Sequence, residues 1–349
     1  MSSTKKIDIR SLDLTQLQQH FVNLGEPSYR AKQVYQWLWE KSAHTFAEMT
    51  NLSKSLRSIL EENFTINAVK VHNSQFSNDH TIKSTFELYD KNIVEGVLIP
   101  TDERMTACVS SQVGCSLTCK FCATGYMDRK RNLNADEIYD QVVLIDQQAR
   151  LNYKQNLTNI VYMGMGEPLL NYANVLKSID RITAEDGLNM SYKRITVSTA
   201  GIAKMIRKLG DDQVKFNLAL SLHAANDKKR NEIMPITEHN SLEALADALK
   251  YYYAKTKNPV TYEYIVFNNF NDEIVDAAEL AKFCKHVPCK VNIIEYNPIQ
   301  FAAFTNTEAD KLDAFAEYLR KQGITTNIRR SRGKDIDAAC GQLAVKQPS

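Results

Sequence analysis

The sequence contains no long hydrophobic segment. Nowhere does it offer the roughly eighteen consecutive apolar residues that a membrane-spanning helix needs. The residues from Met1 to Lys6 are polar or basic after the first, and no apolar core of a signal peptide follows them. We therefore expect a cytoplasmic protein without a membrane partner.

An excess of charge is also missing, since 43 Lys and Arg stand against 41 Asp and Glu, a formal net charge of +2. So small a charge does not by itself indicate a polyanionic partner. Short basic runs occur at 129–131, 228–230 and 329–334, and such runs are most often solvated surface. The length of 349 residues allows one large domain and a smaller one.

A disulfide scaffold is not expected, because seven cysteines is an odd number and free thiols suit a reducing compartment. A second C-x2-C pair and a nearby H-x3-H motif, from which zinc sites are usually built, are absent. Cys284 and Cys289 belong to no motif, and we interpret them as structural thiols.

What the sequence does contain is a loop with the spacing C-x3-C-x2-C, at Cys115, Cys119 and Cys122. Thiolates this close together can converge on one metal centre, because each is a strong and soft donor. Four thiolates would close a cubane iron–sulfur cluster, whereas three leave one iron open to a further ligand. The motif predicts a 4Fe–4S cluster with an open iron, and a zinc loop or inert thiols are the alternatives.

The N-terminal third changes from helical to β-rich patterns. Residues 10–63 have helical periodicity, and short strand-like segments follow to about Leu98. The helix Tyr29–Trp39 mixes basic and aromatic residues, so it is either a core helix or a nucleic-acid-docking helix. Glu95 stands in one strand-like run. Alternation would place it in solvent, but a closed pocket would raise its pKa and make it a proton acceptor.

Strands and helices alternate from Thr106 onward in about six βα units. Such a succession predicts an α/β fold with a parallel sheet wrapped into a full or partial barrel. We divide the chain into an N-terminal helical domain (1–63), a β-rich connecting segment (64–104), the barrel (105–330) and a C-terminal tail (331–349).

Polar or glycine-rich residues follow five of the barrel strands. Because parallel strands end at one rim, these residues should form a single site. Glycines at 164 and 166 would let backbone carbonyls approach the ammonium group of a ligand. His223 alone could equally be a structural histidine. Groups suited to holding the ribose and amino-acid parts of a cofactor are Ser198, Ser221, His223 and Asn297.

Taken together, the motifs resemble a known family. The cysteine spacing, with Phe121 before the last cysteine, is similar to that of the radical S-adenosylmethionine (SAM) superfamily. Over residues 10–345 the chain resembles the RlmN family. Those enzymes methylate C2 of an adenosine in the peptidyl-transferase region of 23S ribosomal RNA, and of the adenosine just 3′ of the anticodon in certain transfer RNAs. Further matching segments are Arg131–Leu133, Glu137–Ile138, Met163–Pro168, Ser221–His223, Met234–Pro235 and Asp335–Leu343.

The resemblance implies a partial (β/α)6 barrel after a small RNA-contacting domain. It implies one 4Fe–4S cluster on Cys115, Cys119 and Cys122, and two SAM molecules per turnover. The implied partners are 23S rRNA, tRNA and an electron donor of the flavodoxin or ferredoxin type. The residues that match SAM contacts of the family are Gly166, Glu167, Ser198, Ser221, Leu222, His223 and Asn297.

The resemblance also assigns catalytic roles. Cys340 would take a methyl group from one SAM, and the radical formed from a second SAM would remove hydrogen from that S-methyl group. The resulting carbon radical could add to C2, which is electron-poor between two ring nitrogens. Glu95 would accept a proton, and Cys108 would attack the Cys340 sulfur, releasing product as a disulfide forms. Without the resemblance, Cys108 is a candidate cluster ligand or a buried thiol, and Cys340 a tail thiol.

Two other functions are compatible with the sequence. The related Cfr type methylates C8 of the same ribosomal adenosine, although Pro168 favours the RlmN side. A non-catalytic RNA-binding protein could hold a structural metal on Cys108 and the three motif cysteines. Asp128 replaces a glycine of many relatives, which puts the loop contacts in doubt. Candidate phosphate contacts are Arg329, Arg330, Arg332 and Lys334.

Overall fold

Three helices and two short strands form an N-terminal unit. The computed structural model describes residues 6–345, so the outer ends of the first and last predicted segments, 1–5 and 346–349, lie outside the described residues. The two strands pair in parallel and tie the ends of the unit together. Its elements are β1 (Ile7–Asp8), α1 (Leu14–Asn23), α2 (Tyr29–Trp39), α3 (Lys54–Asn63) and β2 (Phe64–Thr65).

Four antiparallel strands come next and begin the main sheet. They are β3 (Lys70–Phe76), β4 (Ile82–Glu87), β5 (Ile93–Thr101) and β6 (Arg104–Cys108). A short antiparallel pair, β7 (Gln112–Val113) and β8 (Arg131–Asn132), then encloses the cysteine loop. The pairing holds the two ends of that loop together.

Helices and parallel strands alternate through the rest of the chain. The elements are α4 (Ala135–Tyr153), β9 (Asn159–Tyr162), α5 (Tyr172–Thr183), β10 (Ile195–Thr199), α6 (Ala203–Asp211), β11 (Asn217–Ser221), α7 (Asp227–Ile233), α8 (Leu242–Thr256), β12 (Val260–Val266), α9 (Ile274–Cys284), β13 (Cys289–Glu295), α10 (Ala309–Lys321) and β14 (Thr325–Arg329). None of the helices within residues 6–345 is long and apolar enough to cross a bilayer.

The main sheet has ten strands in the order β14-β13-β12-β11-β10-β9-β6-β5-β4-β3. Neighbours from β6 through β9 to β14 are parallel, which gives six βα units and a final strand. The predicted partial (β/α)6 barrel is confirmed. The segment predicted as a connector supplies strands to the same sheet, and the four domain boundaries stay predictions.

Burial along the strands follows their place in the sheet. All seven residues of the central strand β12 are buried, as expected for a parallel strand covered on both faces. Strand β3, at the edge, is exposed at nearly every position. One carboxylate, Glu263, nevertheless lies within β12 and is only 4% exposed. A buried carboxylate is unusual in a core strand, and Glu263 is found there because it lines the cavity described below.

The N-terminal unit packs on α4 through a buried ion-pair cluster. The guanidinium of Arg10 lies 2.7 Å from a carboxylate oxygen of Asp140 and 3.3 Å from one of Asp136. The ring of Trp39, from α2, meets that of Tyr139 edge-on at 5.1 Å. The inward face of α2 is therefore core, whereas Tyr29 at its start is 57% exposed.

The C-terminal tail crosses from β14 to the turn between β3 and β4. Asp335 accepts hydrogen bonds from the Ser77 hydroxyl and the Asn78 amide. The Gly333 amide donates to Asp79 at 2.8 Å. These contacts carry the tail across the open side of the partial barrel.

Candidate active site

The three motif cysteines line one cavity at the carboxyl ends of the barrel strands. The cysteine loop is held to the end of α7, because the Lys120 amide donates to the Ile233 carbonyl at 3.0 Å. Burial raises the pKa of Cys115 to about 11, and it raises the pKa of Cys119 and of Cys122 as well. Neutral thiols of this kind lose their protons when a metal binds.

The donor set fits a cluster held by three sulfurs. Cys115, Cys119 and Cys122 are soft donors from a single loop, and they face the same space. Within residues 6–345, no three ligand-type side chains already form a closed cage around an ion position. The loop therefore presents its thiols to one cavity and would complete its geometry around the cluster.

Strand ends supply hydroxyl groups to the same cavity, as predicted. Ser198 near the end of β10 and Ser221 at the end of β11 both line it, and their oxygens are 3.4 Å apart. The register of the parallel strands brings them together, because Ser198 pairs with Ala219, two residues before Ser221. These hydroxyls are placed to hold a polar ligand.

His223 also lines the cavity, and its tautomer is fixed. Its Nδ1 accepts the Ile265 amide at 3.1 Å, so the ring proton sits on Nε2. Burial, reinforced by the charge of Arg230, lowers the pKa of His223 to about 3, and the ring is neutral at pH 7. Phe121 of the cysteine loop packs edge-on against it at 4.7 Å.

The glycine-rich loop after β9 lines the cavity, but its glycines serve packing. A Cβ on Gly166, whose φ is +92°, would come within 2.4 Å of Gln112. A Cβ on Gly164 would meet Val109 and Ser110 at 2.7 Å. Neighbouring residues therefore leave no room for a Cβ at either position, which is enough to explain both glycines. That the glycines let a ligand approach the backbone stays a prediction.

Glu167 lines the cavity with both carboxylate oxygens already bonded. One accepts the Leu169 amide at 3.0 Å and the other accepts the Ala200 amide at 2.7 Å. Burial raises its pKa, and these two backbone hydrogen bonds oppose that rise. Glu167 therefore joins the loop after β9 to the end of β10.

Two predicted SAM contacts lie elsewhere. The side chain of Leu222 is fully buried and lines neither this cavity nor its neighbour. Asn297 is 2% exposed and donates from Nδ2 to the Cys340 carbonyl at 3.1 Å. Its Oδ1 is buried without a hydrogen bond. In this structure Asn297 holds the tail, and its amide oxygen is left for another partner.

A second cavity adjoins the first and is lined by the two remaining candidate cysteines. Cys108, at the end of β6, lines it, and Cys340 lines both cavities. Burial raises the pKa of Cys108 to about 12, and the nearby Cys340 thiol adds to the effect. The tail is joined to the cysteine loop by hydrogen bonds from the Ala123 amide to the Gly341 carbonyl and from the Thr124 hydroxyl to the Leu343 carbonyl.

Glu95 is buried in β5, but it lines neither cavity. Its carboxylate is 3.7 Å from the Lys83 ammonium. Burial raises its pKa, and the charge of Lys83 opposes that rise. Val97, two residues on, pairs with Cys108, so Glu95 belongs to the strand beside that thiol.

Sequence reasoning missed Glu263, and it predicted Arg329 only as a phosphate contact. Glu263 of β12 and Arg329 at the end of β14 both line the first cavity, with 3.8 Å between their charged groups. Arg329 also lines the second cavity and lowers the pKa of the Cys108 and Cys340 thiols against the effect of burial. Glu263 belongs to no motif, although a lone Glu in a buried strand was a usable signal, whereas Arg329 belongs to the basic run at 329–334.

The predicted phosphate contacts gather at the second cavity. Arg329, Arg330 and Arg332 line it. Lys334 instead pairs with Glu295 at 2.7 Å. A basic edge therefore borders the space that contains the two thiols.

Comparison with known proteins identifies the family. Residues 7–66 match the family model of the ribosomal RNA large subunit methyltransferase N-terminal domain, and residues 109–281 match that of the radical SAM superfamily. A probable dual-specificity RNA methyltransferase RlmN of Cytophaga hutchinsonii is 63% identical over 98% of this chain and 94% of its own length. The chain belongs to the RlmN family. An RlmN of Christiangramia forsetii is 56% identical over 98% of this chain and 97% of its own.

A solved structure agrees with the RlmN assignment. A radical SAM methyltransferase from Sphaerobacter thermophilus has a TM-score of 0.92 and 37% identity, covering 97% of this chain and all of that one. This RlmN chain is thus a radical SAM methyltransferase, and its superfamily implies a 4Fe–4S cluster and SAM.

Proposed function

We propose that this enzyme methylates C2 of adenosine in 23S rRNA and of the adenosine 3′ of the anticodon in tRNA. The observation that carries the methyl-transfer route is the meeting of Cys108 and Cys340, 232 positions apart in the sequence, at one cavity beside the cysteine motif. Similarity to the RlmN family, and not this pair, favours C2 over C8. A site that only held a metal would have no use for that pair. RNA substrates and a strong reductant, such as a flavodoxin or ferredoxin, place the reaction in the cytoplasm.

Different residues of the chain bind the cluster and SAM. The cluster and two SAM molecules, when bound, supply the methyl group and the radical that activates it. Cys115, Cys119 and Cys122 would hold the cluster, while Ser198, Ser221 and the neutral His223 bind and orient SAM. Gly166, Glu167, Leu222 and Asn297 complete the family's set of SAM contacts, with Leu222 and Asn297 acting from outside the cavity wall.

Cys340 accepts the methyl group as a thioether and later presents its activated carbon to C2. Arg329 faces this thiol and favours the thiolate that the first transfer needs. Glu95 takes the proton from C2, because the pKa of a buried carboxylate is raised toward the value at which it can accept one. The unpaired electron that remains on the adduct would return to the cluster. Cys108 then attacks the Cys340 sulfur, the bond from that sulfur to the new carbon breaks, and the released carbon takes up a proton to become the methyl group. The product is freed as the disulfide forms, and a reductant must restore the two thiols.

Replacing the resolving thiol tests this assignment. Cys108→Ala should stop the reaction after the new carbon–carbon bond forms, so that RNA stays covalently attached to Cys340. Denaturing gel electrophoresis with labelled RNA measures the trapped species. Cys289→Ala, a half-buried thiol away from both cavities, is the matched control and should release product. Normal release by Cys108→Ala would refute the resolving role.

The Cfr type is the second candidate, since its cysteines are the same. Nuclease digestion of modified RNA, followed by chromatography against synthetic 2-methyladenosine and 8-methyladenosine, distinguishes the two. We expect only the 2-methyl isomer, and an 8-methyl product would replace the proposed regiochemistry.

A further inference from the structure

Arg230 is fully buried, although it belongs to a short basic run of the kind that usually lies on the surface. In the run 228–230, Lys228 is exposed and Lys229 pairs with Asp276, as solvated lysines do. Arg230 points to the opposite side of α7 and is 0% exposed. The mechanism above does not use this residue.

The Arg230 guanidinium joins two strand ends of the first cavity. Its Nε donates to the Leu222 carbonyl at 3.1 Å, and Nη2 donates to the carbonyls of Ala200 and Ser221 at 2.5 and 3.3 Å. Its Nη1 donates to the Thr237 hydroxyl at 2.7 Å. All four acceptors are neutral. The group therefore fixes the ends of β10 and β11, but it gains no counter-charge from them.

No carboxylate within residues 6–345 forms an ion pair with Arg230. Arginine stays protonated in proteins, and a buried charge without an opposite charge is strongly destabilising. Arg230 lies behind the wall of the cavity that Cys119 lines, because Ala200 and Ser221, whose carbonyls it bonds, line the same cavity. A negative charge on Cys119 would raise the pKa of Arg230 more than the exposed Asp227 does. The hydrogen bond from Lys120 to Ile233 holds the cysteine loop against the same helix.

A cluster bound by three thiolates carries a net negative charge, which grows by one when it is reduced. We propose that Arg230 is the counter-charge of this cluster and raises its reduction potential, besides holding the two strand ends. A fixed cation behind the wall of the cavity that Cys119 lines favours the more negative, reduced form over the oxidised form. The inference depends on the cluster that the superfamily implies and not on which carbon of adenine is methylated.

The test measures the midpoint potential of the cluster without RNA. Wild type, Arg230→Lys and Arg230→Gln are reconstituted with iron and sulfide under anaerobic conditions and titrated with dithionite. Electron paramagnetic resonance gives the ratio of reduced to oxidised cluster. We expect Arg230→Gln to lower that ratio about tenfold at a given potential, which is about 59 mV for one electron. Arg230→Lys, which keeps the charge but loses most of the hydrogen bonds, should stay near wild type.

A matched variant separates the effect of the Arg230 charge from the effect of its hydrogen bonds. Thr237→Val removes one acceptor of the guanidinium and leaves its charge, so it should lower the unfolding temperature without moving the potential. Loss of the cluster in Arg230→Gln alone would also support the proposal. Equal potentials in the lysine and glutamine variants, or loss of the cluster from both, would overturn it. Because the readout is the cluster, this failure is distinct from a failure of the proposed C2 chemistry.

Discussion

Two buried regions of this enzyme differ in whether a buried arginine is paired with carboxylates. Where the N-terminal unit meets α4, Arg10 has two carboxylates within 3.3 Å. At the rim of the barrel, Arg230 has only neutral acceptors. Charge that is paired within the chain thus stabilises the fold, whereas the unpaired charge of Arg230 lies next to the proposed cluster site.

The largest effect should come from the cysteine loop. Cys119→Ala removes one of three donors, so the cluster is not retained and methylation falls below detection. Iron content and product formation measure the loss. The midpoint of thermal unfolding without metal should change little, because the Cys119 side chain is only partly buried at the edge of a hydrophobic cluster. Cys284→Ala, a buried thiol on α9, should keep its iron, and equal iron loss in both variants would contradict the assignment.

The proton acceptor comes next. Glu95→Gln should slow single-turnover methylation about 10²–10⁴-fold, as expected when a general base is removed. In wild type the rate should fall as the pH drops through the raised pKa of Glu95, because the base must be ionised. Lys83→Met removes the charge that lowers this pKa, so the acid limb should move to higher pH. An unmoved pH profile would exclude Glu95 as the base.

The ion-pair cluster tests the other half of the comparison. Arg10→Met leaves Asp136 and Asp140 buried without a cation, so the free energy of unfolding should fall by about 3–5 kcal/mol in urea titrations. The loss should be larger at pH 8 than at pH 5. Burial raises the pKa of Asp136 to about 7, and the neutral acid that predominates below this value needs no counter-charge. Arg10→Lys should recover part of the loss, and a pH-independent loss would contradict this reasoning.

The smallest effect should come from the basic edge of the second cavity. Arg330→Gln and Arg332→Gln should weaken RNA binding uniformly and reduce the slope of log affinity against log salt by about 1 per lost phosphate contact. Binding titrations at several salt concentrations measure this slope. Lys321→Gln, at the end of α10 and away from both cavities, is the control. An unchanged slope in the double variant would mean that the run is only solvated surface.

Much of the site followed from the sequence because its parts depend on local spacing or on strand ends. Cys115, Cys119 and Cys122 share a loop, so their spacing alone predicts a common centre. Ser221 and His223 follow a parallel strand, and such strands end at one rim. The barrel was predictable for the same reason, since βα alternation determines which ends meet.

The remaining parts depend on contacts between distant segments. Glu263 looks like a chance acid in an apolar strand until Arg329 faces it at 3.8 Å. Arg230 looks like surface because helix α7 is short and was not predicted, so nothing indicated which basic residue would turn inward. Asn297 matched a cofactor contact, whereas its structural role depends on where the tail crosses, which periodicity does not encode.

The proposed reaction depends most on Cys340 as the carrier of the methyl group. The direct measurement uses SAM with a trideuterated methyl group and mass analysis of the methylated adenosine. We predict a product methyl with two deuterons and one hydrogen from the substrate, because one deuteron leaves when the S-methyl group is activated. A product that keeps all three deuterons would contradict the proposed route.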